Sequence, residues 1–208
     1  MFFDLLRGHG LSFQTWNVVD GQFPTSPTDA DGWLLTGSKH GAYEDHEFIP
    51  TLTQFIQATY ATDQPMVGIC FGHQIIAQAL GGTVEKFDGG WAVGRQEYEF
   101  GNRTLALNAW HQDQVIQKPA DADVFASNDF CKYAGLVYGK KAYTLQPHPE
   151  MSNAITSDYH TARKDSPLYP EGVFDHLVEN ITTPIQSEQI AKDIAAFFRG
   201  VFDPKVPS

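Results

Sequence analysis

Gly68-Ile69-Cys70-Phe71-Gly72 sets a thiol between two glycines. This is the Gly-x-nucleophile-x-Gly form, in which a sharp strand-to-helix turn exposes a reactive side chain above a sheet. Lacking Cβ atoms, the glycines let strand and helix pack closely around the bend. Cys70 then projects into the crevice beyond the strand's carboxyl end, where open α/β sheets bind ligands. The helix that follows aims free N–H groups and its positive end at the sulfur, which favours a thiolate, and the Phe71 N–H can serve as an oxyanion donor. Cys131, between Phe130 and Lys132 with no glycine beside it, reads as a buried structural cysteine.

A thiol needs a base, and the base needs a group that orients it. Among eight histidines, His148 stands in Gln146-Pro147-His148-Pro149-Glu150, where two prolines remove backbone donors and restrict the chain. In an extended segment His148 and Glu150 point to the same side, so the carboxylate can hold one imidazole nitrogen while the other faces the thiol. The reading is a triad in chain order Cys70, His148, Glu150. His73 packs or solvates the first turn of the helix after the elbow. His111 and Asp113 in Trp110-His111-Gln112-Asp113 line the cleft or cap a strand. His9, His40, His46, His160 and His176 show neither His-Glu-x-x-His nor Cys-x-x-Cys spacing, so no metal site is expected. Asp88-Gly89-Gly90-Trp91-Ala92-Val93-Gly94 lacks the Lys-Ser/Thr ending of a phosphate loop.

Turn clusters divide the chain into short apolar runs and longer helical patterns that alternate, which predicts an α/β fold. Phe2 to Leu6 reads as a helix end, Phe13 to Val19 as a strand, and Gly32 to Leu35 as a short buried strand stopping at Thr36-Gly37-Ser38. Leu52, Phe55, Ile56 and Tyr60 recur at helical spacing before Pro65. Met66 to Ile69 is the next strand, Gly72 to Leu80 a helix, and Gly81-Gly82 its stop. Gly94 to Trp110, Asp123 to Ser127 and Ala142 to Gln146 read as strands of a more antiparallel half. Two terminal helical patterns follow, the last with Ser187 as cap and Ile190, Ile194, Phe197 and Val201 as its apolar stripe. Met151 to Pro170 reads as a lid, a partner contact or a surface loop.

The chain has 208 residues, 42% hydrophobic and 19% charged, which suits a single domain over 1–208 with one core. Fourteen basic against twenty-five acidic residues give a net charge of −11, which disfavours nucleic acid or an anionic membrane as partner. Two cysteines fit a reducing compartment. The apolar stretches fall short of the roughly twenty residues that span a bilayer, and the start is too short and too charged for a signal peptide. A cytoplasmic location is expected.

Gly68-Ile69-Cys70-Phe71-Gly72-His73-Gln74, Leu80-Gly81-Gly82, His148-Pro149-Glu150 and the Thr36-Gly37-Ser38 loop together resemble the class I, triad-type glutamine amidotransferases. Free-standing members similar to γ-glutamyl peptidases share a Gly-Ser-x-His loop and a Trp/Tyr-His-Gln-Asp segment like those here. The resemblance runs from the Trp33 strand to Glu150 and implies a flavodoxin-like three-layer sandwich. It implies Cys70 as nucleophile, His148 as base and acid, Glu150 as its orienting group, and the N–H groups of Gly37 and Phe71 as oxyanion hole. Gln74 would touch glutamine, and the backbone near Trp110 and His111 would hold its α-substituents. No metal or organic cofactor is implied.

The implied reaction is hydrolysis of the glutamine γ-carboxamide through a γ-glutamyl thioester, with ammonia passed to a separate synthetase subunit or released. The alternatives are a γ-glutamyl peptide hydrolase and a catalytically inactive binding or regulatory scaffold. A homodimer is a base-rate expectation. Two departures stand out. Pro147 replaces an aromatic residue that many relatives carry, and the chain opens on a helix where relatives open on a central strand, so residues upstream of Met1 are expected.

Overall fold

The computed structural model describes residues 1–202. Met66-Val67-Gly68-Ile69 is apolar without alternation, the pattern of a strand covered on both faces, and β2 (Met66–Ile69) is buried along its whole length. It pairs in parallel with β1 (Trp33–Leu35) on one side and β9 (Ala142–Leu145) on the other. Two antiparallel strands, β8 (Gly135–Tyr138) and β7 (Asp123–Ala126), extend the sheet to the order β1-β2-β9-β8-β7.

The two-residue period of the strands sorts their side chains between two cores. Met66 and Ala142 join the side chains of α2 (Phe48–Ala61) and α3 (Phe71–Ala79) on one face. Val67, Ile69, Tyr143 and Leu145 join those of α6 (Ser187–Phe198) on the other. Tyr98, Phe100, Leu105 and Leu107 of the long antiparallel pair β4 (Ala92–Phe100) and β5 (Arg103–His111) complete that second core. A short ribbon of β3 (Thr83–Lys86) and β6 (Asp113–Gln117) adds Val84 and Val115 to the first. The remaining helices are α1 (Phe2–Leu5), α4 (Asn153–Arg163) and α5 (Asp175–Asn180). The result is the expected three-layer α/β sandwich.

Several expectations change. Phe13 to Val19 is not a strand: residues 13–17 are irregular and Val18–Asp20 forms a 3-10 turn. Trp16 packs its ring against Trp33 at 5.3 Å without backbone pairing, while Phe13 meets Phe3 at 5.0 Å with both rings exposed. β1 is consequently the sheet's edge. Ser187 does not cap α6; Gln186 is the N-cap, and its side chain accepts instead from the Ala106 N–H at 2.6 Å. β3, β6 and β8 are short strands that the pattern of residues left unassigned. Within 151–170, residues 153–163 are helical, with the Ser152 hydroxyl accepting from the Ile155 N–H.

Candidate active site

The turn from β2 into α3 is fixed by two close backbone approaches. A Cβ on Gly72 would sit 2.1 Å from the Leu35 carbonyl oxygen, and one on Gly68 would sit 2.5 Å from the Gly72 carbonyl oxygen. Only glycine allows β1, β2 and α3 to meet this closely. Cys70 forms the N-cap of α3 with φ 53° and ψ −105°, a positive φ that costs a non-glycine residue of order 1–3 kcal/mol. The surroundings hold it there: the Cys70 N–H donates to the Leu145 carbonyl at 2.8 Å, and the Gln74 N–H donates to the Cys70 carbonyl at 3.0 Å.

The chain leaving β9 brings the second group. The Gln146 N–H donates to the Ala134 carbonyl and the His148 N–H to the Asn108 carbonyl, both at 2.8 Å. From there the His148 Nδ1 meets Glu150 Oε1 at 2.7 Å, as the two-residue spacing predicts. Cys70, His148 and Glu150 are all buried. Burial alone would lower the His148 pKa, but the charges of Cys70 and Glu150 and hydrogen bonds to both raise it well above its ordinary value. The sulfur on one side and the carboxylate on the other thus favour the protonated imidazole. Such a group can donate a proton to a leaving nitrogen and take one from water.

Gly37 lies beside both Cys70 and His148. Its Cβ position falls 3.0 Å from His148 Cε1 and 3.7 Å from Cys70 Cβ. Phe71 opens α3, so its N–H has no acceptor inside the helix. These are the two expected oxyanion donors. Gln74 is buried, and its amide nitrogen donates to the Asp113 carbonyl at 2.8 Å and to Gln146 Oε1 at 3.1 Å. Trp110 is half-buried, its indole N–H donating to the Tyr169 hydroxyl at 2.9 Å. His111 is buried at the end of β5; desolvation, with the His148 charge second, pushes its pKa down to about 3 and keeps it neutral.

His73 packs under the elbow rather than solvating the helix, with Nδ1 2.8 Å from Thr144 Oγ1. Burial lowers its pKa to about 3. Cys131 is buried as expected, and desolvation pushes its thiol up to about 12. Asn108 escaped the motif reading. Besides accepting from His148, it donates through Nδ2 to the Met151 carbonyl at 2.9 Å and to Asn153 Oδ1 at 3.1 Å, tying the His148 segment to β5 and α4. Its signal was a lone amide within the apolar run Leu105-Ala106-Leu107-Asn108-Ala109.

Residues 16–163 match the glutamine amidotransferase class-I family. The chain is 29% identical over 172 residues to γ-glutamyl peptidase 3 of Arabidopsis thaliana, covering 74% of this chain and 69% of that protein. It is 31% identical over 157 residues to a glutamine-hydrolysing GMP synthase of Vibrio campbellii, covering 71% of this chain and 29% of that longer protein. A crystal structure of a glutamine amidotransferase from Methylobacillus flagellatus superposes with a TM-score of 0.79 at 21% identity, over 97% of this chain and 89% of the other, a likeness of fold. With the sequence match reaching from Trp16 across the elbow and the His148 segment into α4, the chain belongs to the class-I glutamine amidotransferase family.

Proposed function

We propose that the protein hydrolyses the γ-amide bond of glutamine through a γ-glutamyl thioester, with Cys70 as nucleophile, His148 as acid and base, and Glu150 as its orienting carboxylate. The observation that carries this reading is the strained Cys70 turn, with Gly37 beside both Cys70 and His148 and with the His148 Nδ1 2.7 Å from Glu150 Oε1. The Cys70 sulfur attacks the γ-carbonyl carbon, and the N–H groups of Gly37 and Phe71 hold the oxyanion. As the C–N bond breaks, His148 gives its proton to the departing nitrogen. Water then attacks the thioester while His148 takes its proton, the C–S bond breaks, and glutamate leaves.

Gln74 is a proposed contact for the bound glutamine, and the backbone at Trp110 and His111 for its α-substituents. The GMP synthase relative, named as glutamine-hydrolysing, supports glutamine as the substrate, with a separate synthetase subunit as the proposed acceptor of the ammonia. The likeness to γ-glutamyl peptidase 3 supports a second reading, in which the leaving group is an amine on a γ-glutamyl peptide and the chemistry at Cys70 is unchanged.

The test is release of glutamate from L-glutamine and from a γ-glutamyl dipeptide, with the Cys70→Ala chain as blank. Turnover of glutamine supports the first reading and preference for the dipeptide the second. If Cys70 is inert toward both substrates and toward a glutamine-analogue electrophile, the chain is a non-catalytic scaffold.

A further inference from the structure

Between β1 and α2 the chain makes a turn whose side chains the proposed reaction does not use. The His40 N–H donates to Ser38 Oγ at 3.2 Å, the Glu44 N–H to the Gly41 carbonyl at 3.1 Å, and the His46 N–H to the Glu44 carbonyl at 3.1 Å. This folding brings His40, Glu44 and His46 together although their spacing, His-x-x-x-Glu-x-His, matches no common zinc motif. Glu44 Oε2 lies 2.7 Å from His46 Nε2 and 3.6 Å from His40 Nδ1, and the three donor atoms all lie within 4.8 Å of one another. The rings are backed by the protein: His40 and His46 meet with centroids 4.2 Å apart, and His46 stacks on the buried Phe48 at 5.8 Å.

We infer that His40, Glu44 and His46 form a binding site for a divalent transition-metal ion of the zinc class. Two imidazole nitrogens and one carboxylate oxygen are a set that zinc accepts with water in its fourth position. Hard ions such as Mg²⁺ and Ca²⁺ prefer oxygen. Tetrahedral zinc with ligands at about 2.0–2.1 Å sets its donors roughly 3.3 Å apart. The present spacings bracket that value, and small rotations of half-exposed side chains close the difference. A cation held among Glu44 and the two rings gains three ligands from one turn. The chain's net charge of −11 favours it further. The turn continues directly from Gly37 and Ser38, so an ion there braces the loop beside Cys70.

The test uses the Cys70→Ala chain, because the Cys70 thiol beside His148 would itself take zinc. Equilibrium dialysis with Zn²⁺ near neutral pH is expected to give about one tightly held ion per chain, and Co²⁺ to give visible absorption of a low-coordinate nitrogen and oxygen site. Adding Glu44→Gln, or His40→Gln with His46→Gln, is expected to weaken binding about tenfold or more, since even outer-shell losses cost 10–100-fold. Far-UV circular dichroism checks that each variant is folded; Glu44→Gln, which keeps the side chain's shape, decides if the histidine pair is not. Failure of the Cys70→Ala chain to hold zinc, or equal binding by the variants, overturns the inference.

Discussion

Acid is expected to weaken the fold through His73, and the size of the effect follows from its burial. The imidazole lies beneath the elbow against Thr144, where desolvation lowers its pKa from 6.5 to about 3. In the unfolded chain it takes a proton near pH 6.5; in the native state it stays neutral. Between those values the unfolded state binds more protons, so stability rises with pH and is lost as pH falls. From pH 7 to pH 5 the loss is about 2 kcal/mol, and near pH 5 the slope is about 1.4 kcal/mol per pH unit. His111, lowered to about 3 by burial and then by the His148 charge, adds a similar loss. Together they remove about 4 kcal/mol, a large share of a typical 5–15 kcal/mol. Asp113, whose pKa burial raises, and His148, whose pKa is held above its ordinary value, act with the opposite sign, so the wild-type curve alone does not isolate His73 and His111. His73→Asn does: it keeps an amide where Nδ1 lies and removes one titration. Urea unfolding of both chains at pH 7, 6 and 5 should show the variant losing about 2 kcal/mol less than wild type. Parallel stability curves would refute the assignment of His73 as a buried neutral imidazole.

Gly72→Ala is expected to cost 1–3 kcal/mol or more, read by urea unfolding, because its methyl would strike the Leu35 carbonyl and push β1 and the Gly37 loop from Cys70. Glu150→Gln is expected to lower kcat by roughly 10²–10⁴-fold with the fold retained. It should also move the His148 titration, followed by NMR, to lower pH, since the carboxylate is one of the groups that hold the ring charged. At pH 7.5, iodoacetamide is expected to label Cys70 and spare Cys131 in the native chain, as a peptide mass map would show, because Cys131 is buried with its thiol raised to about 12.

The elbow was legible because its requirements are local. Two glycines, an apolar strand before and a helix after leave little choice of geometry, and Gly68 and Gly72 meet backbone where the motif reading expects close packing. The His148–Glu150 contact was legible for the same reason, since two residues of extended chain suffice to make it. Phe13 to Val19 misled because Phe13, Trp16, Val18 and Val19 suit a strand and an irregular segment that packs Trp16 against Trp33 equally well. β3, β6 and β8 went unassigned because four- and five-residue strands carry too few positions to show a period. Asn108 and the His40–Glu44–His46 group depend on a long-range strand contact and a folded turn, neither of which leaves a recognisable spacing.

The most direct test of the central claim is trapping of the thioester. Brief incubation with ¹⁴C-labelled L-glutamine or a labelled γ-glutamyl dipeptide, acid quench and intact-mass analysis should show a γ-glutamyl group on Cys70. The adduct should be released by hydroxylamine and absent from Cys70→Ala. A Cys70→Ala chain that turns over these substrates as fast as wild type, or a label attached elsewhere, would contradict the account.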